Sequence, residues 1–229
     1  MRHLLLAAGI VSAAILLAPR LTSAQSGTPN ETALLIEGIS QPMIWQNAPE
    51  SWKIDGRQTL TITAGKQTDW FVSPMGDSRR NNSPRLLFKP AGDFVLSAKL
   101  NVDFRSQWDA GALVLYENDS LWAKLCFEST IEKQTAIVSV VTKDVSDDSS
   151  SIEMTGPSVY LKMAKSGPAI FFYASQDGQN WKIIRTFSLG KTQNLLVGFS
   201  SQSPTGGGAT TVFSAIHYEP RTVNLWLGK

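Results

Sequence analysis

The chain has 229 residues, of which 42% are hydrophobic and 17% charged, with 21 Lys+Arg against 19 Asp+Glu. Arg2 and Arg20 are the only charged residues among residues 1–24, so residues 25–229 hold 19 basic and 19 acidic side chains, without the basic excess of a nucleic-acid binder. Cys126 is the sole cysteine and His217 the sole histidine after His3, which excludes an internal disulfide and argues against a His-rich metal site or a Ser–His–Asp triad.

A basic start, an apolar run and small residues at Thr22 and Ala24 make residues 1–24 a secretory signal peptide, with cleavage expected before Gln25. The apolar run is shorter than the roughly 20 residues of a membrane-spanning helix. Export to the periplasm or the medium is therefore expected. Residues 25–42 read as an N-terminal extension with a frayed, Ser/Gly/Pro-rich start, and 43–229 as one domain. Its length suits an all-β sandwich or barrel, which reaches roughly 200–250 residues as a single domain.

Short alternating runs dominate from Ile44 onward. Strands are predicted over 60–63, 94–100, 136–141, 159–163, 169–173, 195–199 and 211–216. Turn signals separate them, as in Lys89-Pro90-Ala91-Gly92-Asp93 and Ser203-Pro204-Thr205-Gly206. No stretch after the leader keeps a helical period. Many short strands without a repeat of fixed length predict an all-β sandwich. Ser175 to Trp181 holds Asp177-Gly178, a tight reversal after which Trp181 begins the return arm.

Residues 109–128 form the most informative stretch: two alternating arms joined by Asn118-Asp119-Ser120, the pattern of a β-hairpin. Gly111, Leu113, Leu115, Leu121, Ala123, Leu125 and Phe127 belong to an aliphatic face for the core. In the second arm Trp122, Lys124, Cys126 and Glu128 share the opposite face. An indole, an ammonium and a carboxylate in one row suit a sugar, whose C–H face stacks on a ring while its hydroxyls find charged partners. The bland reading of the same row is a cross-face ion pair covered by a tryptophan, with Cys126 as a small filler.

The order of these pieces resembles a bacterial and fungal family of uncharacterised domains numbered 1349, placed in the concanavalin A-like lectin/glucanase superfamily. The residues that carry the resemblance are Trp45 with Asn47 and Pro49, Thr68-Asp69-Trp70, Gly92-Asp93-Phe94, the hairpin from Ala110 to Glu128, Ser139-Val140-Val141-Thr142 and Ser175 to Trp181. Cys126 stands where the family pattern has Gly, and Ser146-Asp147-Asp148-Ser149 replaces a segment that carries an aromatic. The resemblance implies a jelly-roll sandwich of two curved antiparallel sheets that binds saccharides on the concave one.

Three functional readings stand side by side. The first is a lectin-like module for a polysaccharide or oligosaccharide, with Trp122, Lys124, Glu128 and Glu117 as ligand-binding candidates and Tyr116 and Trp70 as platforms; Lys124 would also meet an acidic sugar's carboxylate. The second is a glycoside hydrolase or lyase with Glu117 and Glu128 as the acid–base pair, two carboxyls being required in one site. The third is a structural or protein-interaction domain, with calcium held by Asp144, Asp147 and Asp148 in an acidic loop. No other cofactor, no nucleic acid and, after cleavage, no membrane is expected.

Overall fold

The computed structural model describes residues 34–56 and 58–228. The expected signal peptide, and the part of the expected extension before Leu34, lie outside the described residues. No helix occurs among the described residues, and none is therefore long and apolar enough to cross a membrane.

Sixteen strands succeed one another among the described residues. They are β1 (Ile44–Gln46), β2 (Ser51–Asp55), β3 (Thr59–Gly65), β4 (Trp70–Val72), β5 (Arg79–Asn81), β6 (Arg85–Phe88), β7 (Phe94–Val102) and β8 (Ala110–Asn118). Then come β9 (Leu121–Ser129), β10 (Thr135–Lys143), β11 (Val145–Glu153), β12 (Ser158–Ser166), β13 (Ala169–Ser175), β14 (Lys182–Phe187), β15 (Leu196–Gln202) and β16 (Gly208–Glu219). Each run predicted from alternation is a strand, because a period of two presents one apolar face to a core.

Two antiparallel seven-stranded sheets pack face to face, ordered β1-β6-β15-β8-β9-β10-β11 and β14-β13-β12-β7-β16-β3-β2. This is the all-β, concanavalin A-like jelly-roll sandwich. Leu113, Leu115, Ala123, Leu125 and Phe127 of the β8–β9 hairpin meet Leu96, Leu100, Leu161, Met163 and Phe213 of the facing sheet in one core.

Two expectations need correction. The acidic segment after Asp144 is not a loop but the edge strand β11, paired with β10 from Lys143↔Val145 to Ala136↔Glu153. Its serines and aspartates tolerate an edge because their outer faces remain in water. The sandwich also begins before residue 43: Leu34, Ile36 and Ile39 are buried in the main core, and Leu34 bridges to Met43.

The outer face of the first sheet is only partly covered. A small β4–β5 hairpin lies across it, tied down by the Val72 amide donating to Ser146 Oγ at 2.9 Å and by Arg79 Nη2 donating to the Asp144 carbonyl at 3.3 Å. Its own Trp70 packs onto the sheet with Trp122, Cys126, Val114 and Val138 in a second apolar cluster. The outer face of the second sheet is capped by the C-terminal segment, where the Tyr173 hydroxyl donates to the Leu225 carbonyl and Ser166 Oγ to that of Val223 at 3.1 Å.

Candidate functional site

Pairing fixes what stands beside what on that outer face. Lys124 lies between Val114 and Val140, Glu128 between Ala110 and Ala136, and Val140 is followed outward by Asp148 on β11. Gln202 on β15 pairs with Ala110. A pocket of about 390 Å³ opens here, with Lys124, Val138 and Val140 as its floor. Phe71, Met75 and Asp77 of the β4–β5 hairpin and Trp108 before β8 also line it, while Glu128, Asp148, Asp69 and Gln202 supply polar groups. The volume falls within the roughly 300–1,000 Å³ of small-molecule sites.

Lys124 is 3% exposed, and its ammonium is held by its surroundings. It donates to Gln202 Oε1 at 2.9 Å and stands 3.7 Å from Asp69 Oδ1. Burial pulls its pKa down, but Asp69, Cys126, Glu128 and Asp148 together outweigh that and leave it above the ordinary lysine value. The Glu128 carboxyl is pushed up to about 8, by burial first; Lys124 pulls it back and Asp148 and Asp69 push it further. Asp148 is open to solvent on one side, yet its covered side also raises its pKa, against the pull of Lys124, the Ser149 amide and Arg185.

Trp108 is placed by a network rather than by a strand. Its φ is +63°, a left-handed backbone that costs a bulky residue on the order of 1–3 kcal/mol. The neighbouring Asp109 carboxylate, fully buried, accepts the Arg105 amide at 2.9 Å, the Ser106 amide at 2.8 Å and Ser203 Oγ at 2.7 Å. The Trp108 amide donates to the Ser129 carbonyl at 2.7 Å, and its own carbonyl accepts Gln202 Nε2 at 3.3 Å. Gln202 thus joins the indole's loop to the ammonium on the floor.

The six ligand-binding candidates divide. Lys124 and Glu128 line the pocket together. Trp122 does not: it is fully buried and stacks on Trp70, also buried, with ring centroids 4.0 Å apart. The β4–β5 hairpin covers the Trp122 end of the face on which a sugar is expected to lie, so neither indole is a platform. Tyr116 sits at the other end of the same aromatic group, 6.0 Å from Trp70, and its hydroxyl donates to Asp119 Oδ1 at 3.1 Å.

Glu117 and Glu128 are not a catalytic pair. Tyr116 faces Trp122 while Glu128 faces Ala110, so they occupy opposite ends of the hairpin. At about 3.4 Å per residue the ends are roughly 20 Å apart. Glycosidic acid pairs need about 5–9.5 Å. Glu117 instead accepts the Gln193 amide at 2.9 Å and the Asn194 amide at 3.1 Å.

The three aspartates expected to hold calcium are also dispersed. Asp144 is at a turn with φ of +66°, Asp147 pairs with Arg185 at 2.7 Å, and Asp148 faces the pocket. Adjacent strand residues point to opposite faces, so Asp147 and Asp148 do not converge. Cys126 is a free, buried thiol whose pKa is pushed up by burial, the filler role.

Phe71, Trp108 and Gln202 were not singled out from the sequence. In the sequence Asp69 stands out only as part of Thr68-Asp69-Trp70, and Asp148 only as a calcium ligand and within Ser146-Asp147-Asp148-Ser149. The one local signal for Trp108 is the polar Asp109 beside it, which a residue-by-residue reading does not connect with a strained turn.

Residues 45–221 match a family described as a protein of unknown function, DUF1349. No curated protein matches the sequence. A functionally unknown protein from Saccharomyces cerevisiae superposes with a TM-score of 0.73 at 20% identity, over 79% of this chain and 97% of that one. A xylan beta-1,4-xylosidase from Bacillus halodurans C-125 gives 0.59 at 16% identity, over 83% of this chain and 41% of that one. The GH43 protein BlXynB of Bacillus licheniformis gives 0.57 at 16% identity, over 77% and 37%. This chain therefore spans less than half the length of either Bacillus protein. At such identities the likeness is one of fold.

Proposed function

The chain belongs to the DUF1349 family, and from that premise we propose that it is an exported carbohydrate-binding β-sandwich whose saccharide lies in the pocket between Trp108, Phe71 and the Lys124–Glu128 row. The observation that carries this reading is the strained, half-exposed Trp108, held by Asp109 and Gln202 beside a row of polar groups. An indole stacks on the apolar face of a sugar ring, and hydroxyls reach Glu128 and Asp148. The fold is shared with polysaccharide-acting proteins such as the xylosidase, which is compatible with a carbohydrate partner. Export rests on the leader read from residues 1–24.

Affinity electrophoresis against a polysaccharide panel tests the proposal. One polymer class is expected to retard the protein, and Trp108→Ala to weaken that binding about tenfold while the melting temperature stays close to that of the parent. No retardation by any polymer would leave a structural or protein-interaction role as the better reading.

One observation favours a catalytic variant of the same reading. A carboxyl that keeps its proton to about pH 8 is suited to act as a general acid. Release of new chain ends from the retarding polymer, abolished in Glu128→Gln with binding retained, is the result expected of a hydrolase or lyase. Absence of release would confine the protein to binding.

A further inference from the structure

Glu128 has no partner among the described residues. It is 8% exposed, it lines the pocket, and there it neither accepts a hydrogen bond nor pairs with a cation. Lys124, the only ammonium of the lining, is already engaged by Gln202 and Asp69. Asp77 and Asp148 line the same space, so four carboxyl groups confront one ammonium that is already satisfied. The aromatic wall is an indole, the ring that best attracts a cation to its face.

These features run against the acidic-sugar role expected for Lys124. A uronate would add a further negative charge beside Asp148, Asp77 and Asp69, with no free cation in the lining to offset it. A second positive charge would satisfy the unpartnered carboxyl and stand near the Trp108 ring. We propose that the saccharide of this pocket is an amino sugar, bound with its ammonium at Glu128, within the field of Asp148, and its ring against Trp108. This rests on the carbohydrate reading above and sets the charge of its ligand.

Burial supports the same conclusion. An ionised carboxylate without a partner is costly, and in the empty pocket Glu128 avoids this by keeping its proton to about pH 8. An ammonium in contact favours the carboxylate and draws the proton off. A sugar that arrives as the ammonium therefore releases a proton on binding, whereas one that arrives as the free amine takes the proton of Glu128 with no net exchange. The groups facing Glu128 are Lys124 and Cys126 on its own strand, Asp148 on β11 and Asp69 before β4; Asp77 also lines the pocket. Of these only Lys124 is positive.

Titration calorimetry on the protein at about pH 6, where the amine is charged and Glu128 keeps its proton, tests this with three probes: a glucosamine oligomer, its N-acetylated counterpart and a uronic acid oligomer. The amino form is expected to bind about tenfold more tightly than the acetylated one, the gain of one charge-assisted hydrogen bond, and the uronic form least. Its apparent heat is expected to differ between buffers of different ionisation enthalpy, the mark of proton release. Glu128→Gln should bring amino and acetylated forms to within about twofold, and Asp148→Asn, an independent variant on another strand, should narrow the gap in the same direction. Equal or tighter binding of the acetylated or uronic form would overturn the amino-sugar inference and leave the carbohydrate reading standing. Failure of all three to bind, together with failure of the polysaccharide panel, would overturn both.

Discussion

Trp122→Ala is expected to lower folding stability by roughly 3–5 kcal/mol, the range for truncating a fully buried tryptophan. For a domain of this size that is a fall in melting temperature of about 6–20 °C. The indole is fully buried, stacks on Trp70 at 4.0 Å, and packs with Cys126, Val114 and Val140. Its loss also removes the seat of the β4–β5 hairpin, on which Arg85 rests 4.2 Å from the Trp70 ring. The Trp122 indole N–H finds no acceptor, so Trp122→Phe, which keeps an aromatic ring and removes that N–H, should cost well under half as much. Thermal and urea denaturation of the two variants check this. A Trp122→Ala protein that melts with the parent would mean that the stack does not hold the fold. Lost sugar binding in this variant would follow from lost structure, since Trp122 does not line the pocket. Trp108→Ala is the substitution that probes contact.

Glu128 makes the protein less stable as pH rises. Its carboxyl goes from the ordinary 4.5 to about 8 on folding, so between those values the folded state holds a proton that the unfolded chain has released. Stability contributed by that proton is complete below about pH 4.5 and is lost as pH climbs through about 8. Asp148, also raised, acts in the same sense. At 1.36 kcal/mol per unit the span is on the order of a few kcal/mol. Lys124, raised above 10.5, gives stability that is complete below that value and does not blunt the decline. Asp177, whose carboxylate accepts the Asn180 and Gln179 amides, and Glu219, bonded to Arg221, have depressed values and lose their contributions on acidification. The maximum is therefore expected near pH 5, between the two groups of carboxyls. Denaturation of the parent and of Glu128→Gln between about pH 5 and 9 is the measurement. The parent should weaken steadily while the variant stays flatter and becomes the more stable of the two at the alkaline end. Parallel pH profiles would show that Glu128 does not carry the dependence.

Alternation along the chain was sufficient to read the sandwich. The β8–β9 hairpin, its turn at Asp119-Ser120 and the division of its residues into core and outer face are set by neighbours in sequence and by a repeat of two. For that reason Lys124 and Glu128 were visible as a row. An acidic strand such as β11 shows no apolar alternation, because it borders the sheet and buries little, so its sequence reads as a loop. The site itself is non-local. Its charges meet because β9, β10 and β11 lie side by side, and its walls come from β4–β5 and from the turn before β8. Which indole is available was decided in three dimensions: Trp122 is on the anticipated face but lies beneath Trp70, contributed by a distant segment, whereas Trp108 is held open by Asp109, Ser203 and Gln202. A strand's period tells which way a side chain points. What then covers it depends on the packing of chain from elsewhere, and that is a property of the folded molecule.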